Sequence, residues 1–553
     1  MKDNRLLQFL KKYWVIGVFA LTALGAVFSS VEIYKEEVLN IDPDIKYEAQ
    51  DTLYFAAERI DTLNPLISQS EDVYYLSKLL YSSLFAYDEN LSAVPELVRS
   101  YTVNTERAYI DLKLKKKVNW HNGKRLRAED VRFTVSAIKA VGSTSPYYEK
   151  VSKIISVNVT DTYACRIYFN NNYNCSLDDL IFPIVPSTQY ASALQFARAK
   201  DDFKPIGTGV YQYKSYNYLK YLRMVPNEDY FGTQAENKIY VTIVPERDLA
   251  ENLMEIEMVT CYLDNSSSRK SVVSDKQYQM YNIVSNQLEM LVYTKTGICK
   301  DLKTRQAISA GINREKILAN AYMGDGVLTD SIYYPNYLGV QDEGTSAVYD
   351  YQKAVELLEA AGFSYDEHDG QLAKTGVADM TVTILVNKKN ATRTAAARLI
   401  AANLESLGFK TDVQALTAKA YQAAMKKGDF DLLLVGYSIE ENYDLRAFFN
   451  GKNPWKYTNF PLLTQVNELE RMHTNEEYQE IYRSIKQQLA EALPYEPLCY
   501  KYVGLVGVPY FEAEQLPLFH DIYKNCQTWR WSKVIEPEKE TETGQNDNKN
   551  QNN

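Results

Sequence analysis

Residues 381–438 read TVTILVNKKNATRTAAARLIAANLESLGFKTDVQALTAKAYQAAMKKGDFDLLLVGYS. Apolar runs in this stretch alternate with segments in which apolar residues recur at helical spacing, the pattern of α/β architecture. The predicted strands are 381–386, 410–414 and 432–435, and the predicted helices are 393–407 and 418–427. Because a helix separates the run at 432–435 from the strand before it, we expect a buried strand parallel to its predecessor.

The segment directly after that run, residues 436–444, reads GYSIEENYD. Ligands in open α/β sheets bind beyond the carboxyl ends of the strands. The position of residues 436–444 therefore predicts that they contribute to a binding site. Upstream, residues 351–361 form a further amphipathic pattern, and Gly362 follows where a left-handed residue commonly ends a helix.

The size and charge of the chain limit the classes of protein to which it can belong. The chain has 553 residues, 46% hydrophobic and 24% charged, which is ordinary globular usage. A prior of roughly 100 to 200 residues per domain predicts about three or four domains. The net charge of -10, from 61 basic and 71 acidic side chains, disfavours nucleic-acid binding because it repels phosphate backbones.

The six cysteines show no Cys-x-x-Cys spacing typical of metal or redox sites. They are interpreted as small buried hydrophobic residues. An alternative stays open for Cys165 and Cys175, which flank a turn-rich stretch and would form a disulfide in an oxidising compartment.

The N-terminus has the pattern of an export segment. Basic residues precede a charge-free run at 13–31, whose 19 residues approach the ~20 that a helix needs to span the hydrocarbon core. We expect residues 1–35 to be a cytoplasmic stub and membrane anchor; a cleaved signal peptide ending near Ser29 is the alternative. At the other end, residues 536–553 lack apolar side chains and are predicted to be a disordered tail.

Several short motifs follow one another along the body. They are Leu63-Asn64-Pro65-Leu66, Val118-Asn119-Trp120-His121-Asn122-Gly123-Lys124, Ala128-Glu129-Asp130-Val131-Arg132-Phe133, Gly207-Thr208-Gly209-Val210-Tyr211 and Arg305-Gln306-Ala307-Ile308. In order and spacing, from about residue 50 to 505, they resemble bacterial extracellular solute-binding proteins of family 5. Two departures are Arg127, where a helix-capping Thr or Ser is usual, and Val210, where proline is usual.

The resemblance implies a two-lobed α/β fold of the periplasmic-binding type with an extra inserted domain. We expect lobe I at 50–82, 204–286 and 497–535, the inserted domain at 83–203, and lobe II at 287–496. Residues 287–293 and 498–502 are then candidates for the strands that join the lobes. The protein would close around a small solute because the bound solute stabilises the shut state more than the open one.

The resemblance also implies a set of ligand-binding residues. Peptide-binding members hold the terminal ammonium of the ligand on an aspartate, for which Asp444, Glu441 and Glu440 are the candidates here. Lys388 lies in the region where some members bind the ligand carboxylate with a cation. Tyr437 and Tyr443 are candidates for aromatic residues in the wall of the cleft. Alternatively, the three acids belong to a solvated loop and Lys388 is an ordinary surface residue. Each tyrosine would then be part of the core.

Enzyme templates find little support in the sequence. It contains no His-Glu-x-x-His, Gly-x-Ser-x-Gly or P-loop pattern, and its four histidines show no metal-ligand spacing. No cofactor is expected. The leading hypothesis is a tethered, extracytoplasmic receptor that delivers oligopeptides to the permease of an ABC importer. A peptide-sensing receptor of the same fold and, third, an extracytoplasmic hydrolase are the alternatives.

Overall fold

The computed structural model describes residues 46–58, 60–170, 175–246, 249–264, 277–341, 348–365, 370–377, 380–440 and 443–535. The predicted anchor at 13–31 and the predicted tail at 536–553 lie outside these residues. Of the helices within the described ranges, none combines the length and the apolar character needed to cross a membrane.

Internal contacts divide the chain into two units. The body comprises residues 51–530, and the other unit comprises residues 1–50 and 531–553. In the second unit, strand β1 (Lys46–Ala49) pairs antiparallel with the last strand, β22 (Arg530–Ile535), so that Ala49 lies opposite Ser532.

The strands of the body follow in chain order. They are β2 (Thr52–Ala57), β3 (Phe85–Tyr87), β4 (Ala93–Pro95), β5 (Val98–Asn104), β6 (Tyr109–Leu114), β7 (Ile154–Asp161), β8 (Ala164–Phe169), β9 (Tyr211–Asn217), β10 (Tyr221–Pro226), β11 (Lys238–Ile243), β12 (Cys261–Asp264), β13 (Gln279–Tyr293), β14 (Gly326–Leu328), β15 (Phe363–Tyr365), β16 (Leu372–Lys374), β17 (Thr381–Asn387), β18 (Lys410–Leu416), β19 (Leu432–Ser438), β20 (Tyr495–Gly507) and β21 (Phe511–Glu512).

The helices of the body are α1 (Glu71–Leu80), α2 (Ala128–Val141), α3 (Tyr148–Ser152), α4 (Ala193–Arg198), α5 (Ala250–Glu255), α6 (Leu302–Gly311), α7 (Arg314–Asn320), α8 (Tyr351–Ala360), α9 (Ala391–Ser406), α10 (Ala418–Lys427), α11 (Phe460–Leu469) and α12 (Asn475–Ala492). Short 3₁₀ turns include Leu177–Leu180, Tyr337–Gly339 and Arg446–Phe448.

The central sheet of the body has the strand order β12-β20-β13-β19-β17-β18, with β14 paired to β20. Strand β17 lies parallel to both β18 and β19, which confirms the parallel arrangement predicted for the run at 432–435. The neighbour of β19 is β17, however, and not its predecessor in the sequence, β18. Leu432, Leu433 and Leu434 are fully buried, as a continuous apolar run predicts.

Helix α9 shows why the local pattern predicts this part of the fold. Its buried residues recur at helical spacing and pack into the core beside β17 and β19: Ala396, Ala397, Ile400, Ala401 and Leu404. Burying each large aliphatic side chain stabilises the fold by roughly 1.5–3 kcal/mol. The chain leaves the helix through Gly408, whose φ of 90° is a left-handed conformation that favours glycine.

Two four-stranded sheets lie outside the central one. The first has the order β2-β11-β10-β9, so residues 52–57 and 211–243 share a sheet although residues 58–210 separate them. The second is the antiparallel sheet β5-β6-β8-β7 within those intervening residues, and helix α2 contacts its edge strand β7. The domain boundaries inferred from the family resemblance stay a prediction.

Helix α2 begins after Arg127, whose side chain makes no capping hydrogen bond. The carboxylate of Asp130 instead accepts a hydrogen bond from the backbone N–H of Arg127 at 2.8 Å. The acid at the third position of the helix therefore satisfies part of the N-terminus despite the unusual Arg127.

All six cysteines are buried and free. This confirms their interpretation as small hydrophobic residues, and the alternative disulfide between Cys165 and Cys175 is not formed. Burial raises the pKa of Cys165 to about 12 and that of Cys175 to about 11, so both are thiols at neutral pH.

His121 connects two distant parts of the body. Its Nδ1 accepts a hydrogen bond from the backbone N–H of Gly207 at 3.1 Å, and its Nε2 lies 3.3 Å from the carbonyl oxygen of Gly209. Both bonds require the neutral ring protonated on Nε2. A Cβ at position 207 would lie 1.8 Å from the carbonyl oxygen of Leu80, so only glycine allows this close approach.

Burial lowers the pKa of His121 to about 4, whereas an unfolded histidine titrates near its ordinary value of 6.5. Between these values the unfolded chain binds more protons than the folded chain, so acid destabilises the fold. We expect the free energy of unfolding to fall on the order of 3 kcal/mol more in the wild type than in His121→Gln between pH 7 and pH 4. Urea denaturation at successive pH values measures this, and equal pH dependence in both proteins would contradict it.

Candidate functional site: the cavity over the joining strands

Strands β13 and β20, which we call the joining strands, pair antiparallel over most of their length. The ladder runs from Gln279 opposite Gly507 to Val284 opposite Tyr502, stops, and resumes at Leu288. The candidate joining segments predicted from the sequence, 287–293 and 498–502, lie on these two strands.

Polar side chains fill the break in the ladder. The hydroxyl of Ser285 donates to the carbonyl oxygen of Lys501 at 2.7 Å and accepts a hydrogen bond from the backbone N–H of Gln287 at 3.2 Å. The side chain of Gln287 donates to the hydroxyl of Ser438 at 2.6 Å. The carboxyl end of β19, where the sequence predicts a site, therefore borders the break.

A cavity of about 810 Å³ lies over this break. Its floor is formed by the joining strands, and its walls come from α1, α5, β12 and the segment 519–529. The principal residues are Glu71, Asp72, Tyr75, Glu251, Tyr262, Asp264, Ser285, Asn286, Gln287, Lys501, Tyr502, Val503, Phe519 and Tyr523. The volume lies in the range of about 300–1,000 Å³ usual for small-ligand sites.

Acidic side chains dominate the charge of the described lining. Glu71, Asp72, Glu251 and Asp264 face one lysine, Lys501. Burial, followed by the nearby charges of Asp264 and Glu251, raises the pKa of the Tyr262 hydroxyl above its ordinary value. The cavity therefore has a wall that favours a cationic group on a ligand.

A second cavity, of about 430 Å³, is lined by residues between Gln306 and Pro497, including Arg314 and Glu496. All but Pro497 of these residues lie within the expected lobe II, whereas all but Gln287 of the residues that line the larger cavity lie within the expected lobe I. Among the described residues, no group of three or more histidine, cysteine, aspartate or glutamate side chains is placed to hold a metal ion.

Of the sequence-predicted residues that the structure describes, none lines the larger cavity. Tyr437 is partly exposed on β19, and its ring packs edge-on against Phe448 at 4.7 Å. Tyr443 is 4% exposed, and its ring stacks on Tyr337 at 5.3 Å. For Tyr443, the structure therefore favours the core interpretation.

The predicted ionic residues also lie in different surroundings. Glu440 and Lys388 are exposed, and Glu441 lies outside the described residues. Asp444 receives the guanidinium of Arg446, with 2.7 Å between Arg446 Nε and Asp444 Oδ1. Burial alone would raise the pKa of Asp444, but the hydrogen bonds from Arg446 outweigh it and hold that pKa below the ordinary value.

A buried ion pair next to the joining strands was not predicted from the sequence. Arg393, at the start of α9, donates to both carboxylate oxygens of Glu289 on β13, at 2.7 and 2.9 Å. Tyr322 donates to the same carboxylate at 3.0 Å. A Cβ at Gly436 would lie 1.7 Å from Arg393 Nη2, so a larger residue at this position on β19 would displace the guanidinium from Glu289.

Comparison with known proteins agrees with this fold. The chain matches the family of bacterial extracellular solute-binding proteins, family 5, over residues 92–456. It is 25% identical over 494 residues to the oligopeptide-binding protein AppA of Bacillus subtilis, covering 84% of this chain and 89% of that protein. It is 24% identical over 430 residues to the dipeptide-binding protein of Escherichia coli, covering 73% and 78%, respectively.

A solved structure described as a nickel ABC transporter from Bacillus halodurans has a similar fold, with a TM-score of 0.65 and 16% identity over 86% of this chain and 98% of that one.

The two-lobed α/β fold and the open cavity define a solute-binding protein. More specifically, the chain belongs to family 5 of the bacterial extracellular solute-binding proteins. This confirms the resemblance carried by the sequence motifs, and the matched relatives are binding proteins and not enzymes.

The ion pair of Glu289 and Arg393 yields a stability prediction. In Glu289→Gln, the guanidinium of Arg393 keeps its partly buried position without a paired charge, and we expect the free energy of unfolding to fall by about 3–5 kcal/mol. The matched control is Glu356→Gln, because Glu356 pairs with Lys353 at an exposed site, where such pairs contribute little. Urea denaturation measures both; equal stability of the two variants would contradict the importance of the buried pair.

Proposed function

We propose that this chain binds a short peptide in the cavity over the joining strands and delivers it to the permease of an ABC importer. The observation that carries the proposal is the cavity itself, whose floor is made of the two strands shared by both halves of the central sheet. A peptide on that floor lies beside the carboxyl end of β19. Its contacts in the cavity are with the expected lobe I and with Gln287 of the expected lobe II, and closure would bring more of lobe II onto it. Contact with both lobes is what makes the shut state more stable with ligand than without it.

The chemistry of the lining matches a peptide. Asn286 and Gln287 line the cavity, and their side-chain oxygens can accept hydrogen bonds from peptide N–H groups, while their amide nitrogens donate to Ile439 and Ser438. The carboxylates of Glu251 and Asp264 suit a terminal ammonium, because a charge-assisted hydrogen bond to a desolvated cation is stronger than a neutral one. The names of the relatives in Bacillus subtilis and Escherichia coli, which refer to oligopeptides and dipeptides, support the same ligand class.

Asp444, Glu440 and Glu441 remain a second hypothesis for the ammonium partner. Asp444 is already neutralised by Arg446, with 2.5 Å between Nη2 and Oδ2, so a ligand ammonium would have to compete with a guanidinium. Glu251 and Asp264 are our first choice because they line the larger cavity, whereas Asp444 does not. Tyr437 and Lys388 remain candidates for residues that reach the peptide when the lobes close.

The location of the protein is part of the proposal. Members of the family act outside the cytoplasm, and we propose that the apolar run at 13–31 tethers this chain to the cell membrane. Tethering keeps the receptor close to its permease and raises the effective concentration of each for the other.

A thermal-shift titration of the full chain with di- to hexapeptides tests the ligand class. A ligand that binds only the folded state raises the Tm, and we expect such a shift with at least some peptides. Shifts with nickel chelates or sugars and none with any peptide would overturn the assignment.

The ammonium partner is tested by comparing a bound peptide with its N-acetylated form. Loss of a hydrogen bond to a charged group costs about 1.5–3 kcal/mol, so acetylation should weaken binding to the wild type roughly 10- to 100-fold. In the double variant Glu251→Gln, Asp264→Asn, this difference should largely disappear, because the ammonium has lost its anionic partners. Asp444→Asn is the parallel variant for the second hypothesis, and an unchanged acetylation effect in the double variant would remove Glu251 and Asp264 from the site.

A further inference from the structure

The second cavity, of about 430 Å³, lies where β20 begins, and the described residues that line it all differ from those of the larger cavity. Helix α6, the C-terminal end of α12 and the loop after β14 contribute to its walls. Ile332, Leu489 and Leu493 supply apolar surface, and Asp330 and Glu496 supply carboxylates. An apolar lining with a few placed polar groups is typical of small-ligand sites.

Glu496, the second residue of β20, carries an oxygen that the described residues leave without a donor. Its side chain belongs to a residue that is 1% exposed, and the hydroxyl of Tyr293 donates to its Oε2 at 3.5 Å. Its Oε1 lies 3.8 Å from Nη1 of Arg314, which is too long for a hydrogen bond. No described donor meets Oε1 with hydrogen-bond geometry. Because a buried acceptor without a donor is costly, Oε1 is suited to a donor on a ligand.

Arg314 is held in place by other acceptors. Its Nη1 donates to the carbonyl oxygen of Thr329 at 2.8 Å and to that of Pro497 at 2.9 Å. A shift of this nitrogen toward Glu496 would stretch two buried hydrogen bonds to gain one. The guanidinium therefore contributes charge beside Glu496 and leaves Oε1 available to a second donor.

Asp330 offers a second acceptor in the same cavity. Its Oδ1 is buried, and no described residue donates a hydrogen bond to it. The loop that carries Asp330 is fixed on both sides: the hydroxyl of Thr329 donates to the carbonyl oxygen of Ser331 at 3.0 Å, and the hydroxyl of Tyr500 donates to that of Ile332 at 2.7 Å. The position of this carboxylate is therefore set before any ligand arrives, which lowers the cost of binding.

The charges of the described lining favour a cation. The lining contains three acids, Asp330, Asp350 and Glu496, and two bases, Arg314 and Lys353. Asp350 also caps α8, because its Oδ1 accepts a hydrogen bond from the backbone N–H of Lys353 at 2.9 Å. One added positive charge balances the set.

The ionised form of Glu496 is the form that a cation would stabilise. Burial raises the pKa of its carboxyl group, and the charge of Arg314 and the nearby hydroxyls of Ser309 and Tyr293 oppose that rise. A cation beside Oε1 acts in the same direction as Arg314.

We propose that the second cavity is a separate binding site for a small organic cation with an ammonium group and a short aliphatic body. The ammonium group donates to Glu496 Oε1, Asp330 Oδ1 is the second acceptor within the cavity, and the aliphatic body lies against Ile332, Leu489 and Leu493. An ammonium group suits these atoms because it carries three donors and no acceptor, and because hydrogen bonds between charged groups are strong. The site goes beyond the proposed function, since nearly all of its residues belong to one expected lobe and binding there requires no closure.

Calorimetric titration of the full chain with pentylammonium, without any peptide, tests the proposal. We expect saturable binding at one site. Pentyltrimethylammonium is the matched probe, because it has the same charge and the same aliphatic body but no N–H donor, and it should bind at least tenfold more weakly. This comparison separates hydrogen bonding in the cavity from general attraction to a chain of net charge -10.

Two variants locate the site. Glu496→Gln and Asp330→Asn should each weaken pentylammonium binding roughly 10- to 100-fold, because each removes a charged acceptor. If Glu496→Gln does not fold, as thermal melting will show, Asp330→Asn decides alone. Glu491→Gln is the control and should bind as the wild type does, because Glu491 is exposed on α12 and lies outside the cavity lining.

Three results would overturn the proposal. They are the absence of saturable pentylammonium binding, which would mean that the cavity holds water only, equal affinity for the two probes, and wild-type affinity in either folded variant. Since no peptide is present, each result is independent of whether the peptide assignment holds.

Discussion

The antiparallel pairing of β13 and β20 is the constraint on which the body depends. Strand β13 carries β19, β17 and β18 on one side, and β20 carries β12 on the other, so strands drawn from residues 261–507 meet in one sheet around these two. Any movement of one lobe against the other must be absorbed where their ladder is weakest. That place is the break at 285–287, where a serine hydroxyl replaces part of the regular backbone pairing. The cavity lies over the same break, so a ligand bound there under the proposed function would be coupled to lobe movement.

Buried polar contacts hold the parts that should not move. Glu289 and Arg393 fix the start of α9 to the joining strand β13, and the neutral ring of His121 fixes its own loop to the Gly207–Gly209 segment. Both carboxylate oxygens of Glu289 and both ring nitrogens of His121 have hydrogen-bond partners. A buried polar group specifies one arrangement when its hydrogen bonds are satisfied in this way.

Much of the fold is predictable from local sequence, and the site less so. The bounds of α9, β17 and β19 follow from spacing and apolar runs, and the left-handed Gly362 and Gly408 mark helix ends as expected. The partner of Arg393 is not predictable in this way, because Glu289 lies 104 residues away and no local pattern connects them. The cavity wall is likewise assembled from separated segments around Glu71, Glu251 and Asp264. The rule that ligands lie beyond strand ends points to Ser438, which borders the break under the cavity, but the loop beyond it packs inward through Tyr443 and pairs Asp444 with Arg446.

The central claim is that a ligand bound in the cavity over the joining strands brings the two lobes together. Small-angle X-ray scattering of the chain, before and after saturation with a peptide that calorimetry shows to be bound, tests it most directly. The account predicts a smaller radius of gyration in the complex and no change with a peptide that does not bind. A bound peptide that leaves the scattering curve unchanged would contradict it.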